Sequence, residues 1–212
     1  MHYVSRTLCT ILLGLISQPG HARDPHSLRL YWVKSSETDL ATAVIGDFQG
    51  SPESNYLLGA TWGTSLSDTL FGLPLSTTAH FGAQYFKERG YQDNGIGATA
   101  FVKASYSWEL PFTDKRLILG LGEGLSYASR IPISEMRDFA KKSVESEKLM
   151  NYLEWTVDVP LSQFEVFRPL LRHGIEELSL GFIVWHRSSV FGLFSEESGG
   201  VNFMGFSIEA RY

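Results

Sequence analysis

Two runs near the end of the chain decide the fold: Ile175-Glu-Glu-Leu-Ser-Leu-Gly-Phe-Ile-Val-Trp-His-Arg-Ser-Ser189 and Val201-Asn-Phe-Met-Gly-Phe-Ser-Ile-Glu-Ala-Arg-Tyr212. Both alternate with a period of two residues, which places successive side chains on opposite faces of a strand. In the first, Leu178, Leu180, Phe182 and Val184 share a face, against Ser179, Gly181, Ile183, Trp185 and Arg187. In the second, Met204, Phe206, Ile208, Ala210 and Tyr212 oppose Phe203, Gly205, Ser207, Glu209 and Arg211. One apolar face, one mixed and partly charged face, and a terminal aromatic residue are what a membrane-crossing β-barrel strand requires. His186, Ser188 and Asn202 continue the apolar faces of these two strands, where polar residues are unexpected.

The same periodicity recurs upstream. Strands are expected over 28–34, 55–64, 76–86, 96–110, 115–128 and 150–161. The longest places Ile96, Ala98, Ala100, Val102, Ala104, Tyr106, Trp108 and Leu110 on one side. With the last two runs this makes about eight strands, several exceeding the roughly 9–11 tilted residues that cross a bilayer. The reading is all-β: an eight-stranded antiparallel transmembrane barrel whose narrow interior is filled by side chains. Residues 131–149 break the alternation and have helix-forming composition, so a short helix is expected in an extracellular loop. With both barrel ends of the chain on the periplasmic side, the loops near 35–54, 87–95, 129–149 and 189–200 face outward.

Composition agrees. The chain has 212 residues, 43% hydrophobic, 13% aromatic and 19% charged, with no apolar run long enough for a membrane-spanning helix. A formal charge of -5 gives no basic footprint for nucleic acid. Arg6, the apolar core from Leu8 to Ile16 and the small residues around Gly20-His21-Ala22 read as an export signal. Residues 1–22 are therefore expected to be removed, leaving an outer-membrane barrel domain over 23–212 without cysteine, since Cys9 is the only one. Removal takes one basic residue and no acid, so the charge becomes -6.

The face opposite the apolar one carries Arg29, His80, Lys103, Glu109, Glu154, Asp158, Glu177, Arg187, Glu209 and Arg211. Mixed signs can pair inside a closed lumen but not against lipid. A soluble lipocalin-like barrel would have the same periodicity with the faces exchanged, and alternation alone does not distinguish the two. The export signal and the aromatic strand ends favour the membrane barrel. Glu123 falls on the apolar face by parity, and the surrounding Gly120, Gly122 and Gly124 suggest a β-bulge that turns it inward.

His186 and Ser188, two apart, project from one face, as a Ser-His nucleophile pair needs. Asn202 reaches that face from the next strand and could orient the imidazole. Isolated histidines and a glycine series without a following helix give no metal site and no phosphate loop, so no cofactor is implied.

This end of the chain resembles the lipid A 3-O-deacylase (PagL) family, small outer-membrane barrels with a lipid-facing Ser-His-Glu site. The family motif His-x-Ser-Asn, followed about a dozen residues later by Gly-Ile-Glu and a final strand, aligns here with His186-Arg187-Ser188-Ser189 and Gly200-Val201-Asn202, which match it at His186 and Ser188 and depart from it at Ser189 and Asn202. The resemblance implies His186 as general base and Ser188 as nucleophile. It places Ser189 where the family has an oxyanion-hole Asn, and Asn202 where it has Glu. Glu196 or Glu197 in the intervening loop could supply a carboxylate. Two functions follow: an ester hydrolase of lipid A or a related outer-leaflet acyl lipid, or a non-enzymatic barrel acting through its loops.

Overall fold

The computed structural model describes residues 26–38, 42, 49–141, 146–171, 174–189 and 200–212. Eight strands form a closed barrel, each antiparallel to its neighbour in sequence, and the first pairs with the last. They are β1 (His26–Ser36), β2 (Tyr56–Ser67), β3 (Ser76–Lys87), β4 (Gly95–Glu109), β5 (Arg116–Ala128), β6 (Leu149–Pro160), β7 (Glu177–Ser188) and β8 (Gly200–Arg211). Every expected strand is present. The expected helix is α1 (Ile133–Lys141), between β5 and β6. The signal segment and the loop carrying Glu196 and Glu197 lie outside the described residues.

Which face is outside is now decided. Leu30 is 49% exposed, Phe81 59%, Leu121 55% and Phe206 69%, whereas Arg29 and Lys103 are 3% and Glu154 1% exposed. The apolar wall is outermost and the ionised groups converge in the lumen, the reverse of a soluble barrel. Glu109 and Arg211, counted on the inner face, lie exposed at the rim where their strands end.

The lumen has two layers. In the lower layer, near the β2–β3 and β4–β5 turns, Arg29 donates to both carboxylate oxygens of Asp158 (2.8 and 2.9 Å) and to Ser207 Oγ (2.7 Å), and pairs with Glu209. Lys103 pairs with Glu154 at 2.8 Å, and Tyr152 donates its hydroxyl to the same carboxylate at 2.8 Å. These groups come from β1, β4, β6 and β8, so only closure brings them together, and it gives each charge the partner that burial demands. Arg29, Lys103, Asp158 and Glu209 border a cavity of about 90 Å³. Above them Tyr31, Leu57, Phe86, Phe101, Trp185 and Phe203 fill the upper lumen as an apolar cluster. Gly122 makes room for this layer: a Cβ there would lie 2.9 Å from the Phe101 ring.

The outer wall carries aromatic residues at both heights. Tyr56, Tyr85 and Tyr127 lie toward the loop end, and Trp62, Tyr106, Trp108 and Tyr212 toward the turn end. α1 covers the loop end. Its Glu135 pairs with Arg187 of β7 at 3.0 Å, both side chains fully buried. Glu88 accepts hydrogen bonds from the Ile133 amide (3.1 Å), at the helix start, and from Asn55 Nδ2 (3.2 Å). Arg137 pairs with Glu53 at 2.9 Å. Burial pushes the Glu88 and Glu135 carboxyls above the usual carboxylate range, although the helix-start amide opposes this for Glu88 and Arg187 opposes it for Glu135.

The proposed bulge at Glu123 is absent. β5 pairs without interruption, Glu123 opposite Val102 on β4 and Leu153 on β6. Glu123 is exposed on the outer wall. The neighbouring glycines serve the lumen face, where they admit large side chains such as Phe101, and do not bend the strand.

Candidate functional site

β7 and β8 keep the alternation to their loop ends, so the parity that points Leu180 and Phe206 outward also points His186, Ser188 and Asn202 outward. Register then sets which groups meet. His186 lies opposite Asn202 and Ser188 opposite Gly200; on the other side, His186 faces Leu153 and Ser188 faces Asn151. Asn202 in turn pairs with Ser36 of β1.

His186 Nδ1 is 2.6 Å from Asn202 Oδ1. The Asn202 amide is oriented by its Nδ2, which donates to the Thr38 carbonyl at 2.6 Å. An amide oxygen only accepts, so Nδ1 is the donor. When neutral, the imidazole is thereby the Nδ1–H tautomer, assigned from the hydrogen-bond network, with the lone pair on Nε2. That nitrogen acts as base when a nucleophile lies on the other side of the ring.

The ring leans toward the loop end. A Cβ built on Gly200 would lie 2.6 Å from His186 Cε1 and 3.1 Å from Nε2. Because Gly200 is the cross-strand partner of Ser188, this lean brings Nε2 toward the row that holds the serine. A larger residue at position 200 would block the ring. Among the described residues, Ser188 Oγ has no hydrogen bond to the imidazole; in a serine–histidine pair without substrate this contact is often long and tightens as the reaction proceeds.

Arg187, between the two, points the other way. Fully buried, it meets Glu135, donates to the Glu147 carbonyl at 2.8 Å and to Ser126 Oγ at 3.3 Å. An anchored inner residue holds its two outward neighbours in place along the strand, so the lumen fixes the position of His186 and Ser188.

The structure thus brings together His186, Ser188 and Asn202. Ser189 follows β7 and is fully buried. Glu196 and Glu197 lie outside the described residues. Thr38 and Gly200 are the members that sequence reasoning missed. Thr38 acts through its carbonyl, which side-chain patterning does not report; Gly200 was visible only as part of a motif. Among the described residues no three histidine, cysteine or acidic side chains converge on a metal-sized space. No protein-family model matches the chain, and a search of curated proteins finds no matching sequence.

Proposed function

We propose that this chain is an outer-membrane barrel that hydrolyses an ester of an outer-leaflet acyl lipid, lipid A or a chemically related molecule. The observation that carries the reading is the His186–Asn202 hydrogen bond on the outer apolar wall. A tautomer-fixed imidazole with a serine two residues away, both half-buried, sits at the loop end of the outer wall beside the buried Asn202, Val184 and Met204, an apolar setting suited to an acyl chain. The apolar belt, the two aromatic levels and the buried lumen charges support the membrane setting. The filled upper lumen speaks against a conducting pore.

In this mechanism His186 Nε2 takes the proton of Ser188 as Oγ attacks the acyl carbonyl. The tetrahedral intermediate collapses with return of that proton to the departing alkoxide, leaving an acyl-Ser188 ester and a free alcohol. Water, activated by the same imidazole, releases the fatty acid. Asn202 holds the ring and stabilises its protonated form less than a carboxylate would, so turnover is expected to be slow beside an enzyme with Glu at that place. The resemblance to the lipid A 3-O-deacylases points to the same chemistry.

A second reading, a non-enzymatic barrel whose rigid loop cap binds a partner, draws on the ion pairs that lock α1 over the lumen. Fatty-acid release from lipid A by the purified, refolded barrel separates the two. Release that is lost in Ser188→Ala and His186→Ala supports hydrolysis; no release above a protein-free control, from a barrel verified as folded, supports the second reading.

A further inference from the structure

The hydrolase reading leaves Glu123 unexplained. It stands exposed on the outer wall of β5, between Leu121 and Leu125 along the strand and between Val102 and Leu153 across it. It makes no ion pair or hydrogen bond with any described residue. A carboxylate on a lipid-facing wall is costly and marks function unless it is paired.

Its place relative to the site is fixed by register. The row that contains Glu123 continues through Leu153 to His186, so the two polar groups are separated by two interstrand spacings, about 9.6 Å. Between them lies Asn151, directly opposite Ser188 and diagonal to Glu123, but buried, with its Nδ2 donating to the Tyr152 carbonyl at 3.4 Å. Ser188, Asn151 and Glu123 therefore form a polar track across β7, β6 and β5 on a wall that is otherwise apolar there.

Resting on the hydrolase reading, we infer that Glu123 is a substrate-recognition residue: it accepts a hydrogen bond from a hydroxyl or amide N–H carried by the acyl lipid about 12 Å from the ester that meets Ser188, two interstrand spacings across and two residues along the strand. An ionised carboxylate only accepts, so the group it recognises must donate. The glycerol ester region of a diacyl phospholipid offers only acceptors and a like-charged phosphate, and a donor enters only through an ammonium or hydroxyl headgroup. The implied substrate class is an acyl lipid built on a hydroxyl- or amide-bearing scaffold, such as an acylated amino sugar.

The test uses the full chain with Ser188→Ala, so that bound lipid persists, reconstituted in nanodiscs. Two probes are compared by competition: a synthetic acylated glucosamine with free hydroxyls and amide N–H, and its O- and N-methylated counterpart with the same chains. A hydrogen bond to a charged group predicts at least about tenfold tighter binding of the first probe. Glu123→Leu, which matches the surrounding wall and leaves the lumen untouched, should erase that preference, and Glu123→Gln should keep part of it. Equal binding of both probes, or a preference that survives Glu123→Leu, overturns the inference. Turnover with Ser188 intact is measured in parallel. Discrimination that depends on Glu123 without turnover removes the hydrolase reading alone, and turnover without discrimination removes the Glu123 assignment alone.

Discussion

Arg187→Met gives the sharpest forecast of stability. The wild-type guanidinium and the Glu135 carboxylate are both fully buried, with Nε and Oε2 3.0 Å apart. The same guanidinium satisfies the Glu147 carbonyl and Ser126 Oγ. Methionine fills much of the stem volume and removes the charge and every donor. Among the described residues, Glu135 then keeps Ser146 alone as a hydrogen-bond partner. Removing one partner of a buried pair costs about 3–5 kcal/mol. Removing both with a volume-matched apolar pair costs far less, so Arg187→Met/Glu135→Leu should be more stable than Arg187→Met by about 2 kcal/mol or more. Reversible urea unfolding in lipid vesicles, followed by tryptophan fluorescence, reads these differences directly. A loss under about 0.5 kcal/mol for the single variant, the size of an ordinary surface change, would refute the reasoning, as would strictly additive effects in the double variant.

Other consequences can be checked together. Asn202→Leu should lower kcat by about tenfold or more in a fatty-acid release assay, since the imidazole loses its orienting acceptor, while Asn202→Asp should retain or raise it. Gly200→Ala should reduce both activity and stability, because the new methyl would lie 2.6 Å from the Arg187 carbonyl oxygen as well as 2.6 Å from His186 Cε1; a kcat equal to wild type would contradict the placement of the ring. Leu30→Arg, on the exposed wall, should cost about 2–4 kcal/mol in bilayer-folded protein if its site is near the midplane, measured by the same urea titration. The folded-state values of Glu88 and Glu135 lie above the ordinary carboxylate value of 4.5. Their contribution to loop-cap stability is thus full below about 4.5 and is lost as pH rises through the raised values. Hydrogen exchange of α1, corrected for the intrinsic pH dependence, should show more protection at the acid end of that window, and a Glu135→Gln chain should show less of this change.

Much of the barrel was legible because every strand obeys one rule. Leu28, Leu30 and Trp32 against Arg29 and Tyr31 is the same statement as Leu117, Leu119 and Leu121 against Ile118 and Gly120. Periodicity does not say which face is outside. That follows from convergence: Arg29, Asp158 and Glu209 lie far apart in sequence and meet only when β1 pairs with β8. The helix at 133–141 was visible as a break in alternation, but its role as a cap depends on Glu135 finding Arg187, a contact that no local pattern encodes. At the site, parity correctly put His186, Ser188 and Asn202 on one surface, and register supplied the hydrogen bond. At Glu123 a glycine cluster suggests strand distortion in the sequence, but the glycines are space for lumen side chains, and the strand carries its carboxylate outward without a break.

The most direct test of the account is mass spectrometry of lipid A from cells that express the chain in the outer membrane, beside cells that express Ser188→Ala. The account predicts lipid A lighter by one acyl chain in the first and unchanged in the second. Identical lipid A in both, with folded protein confirmed in the outer membrane, would contradict hydrolysis of lipid A by the outer-wall site.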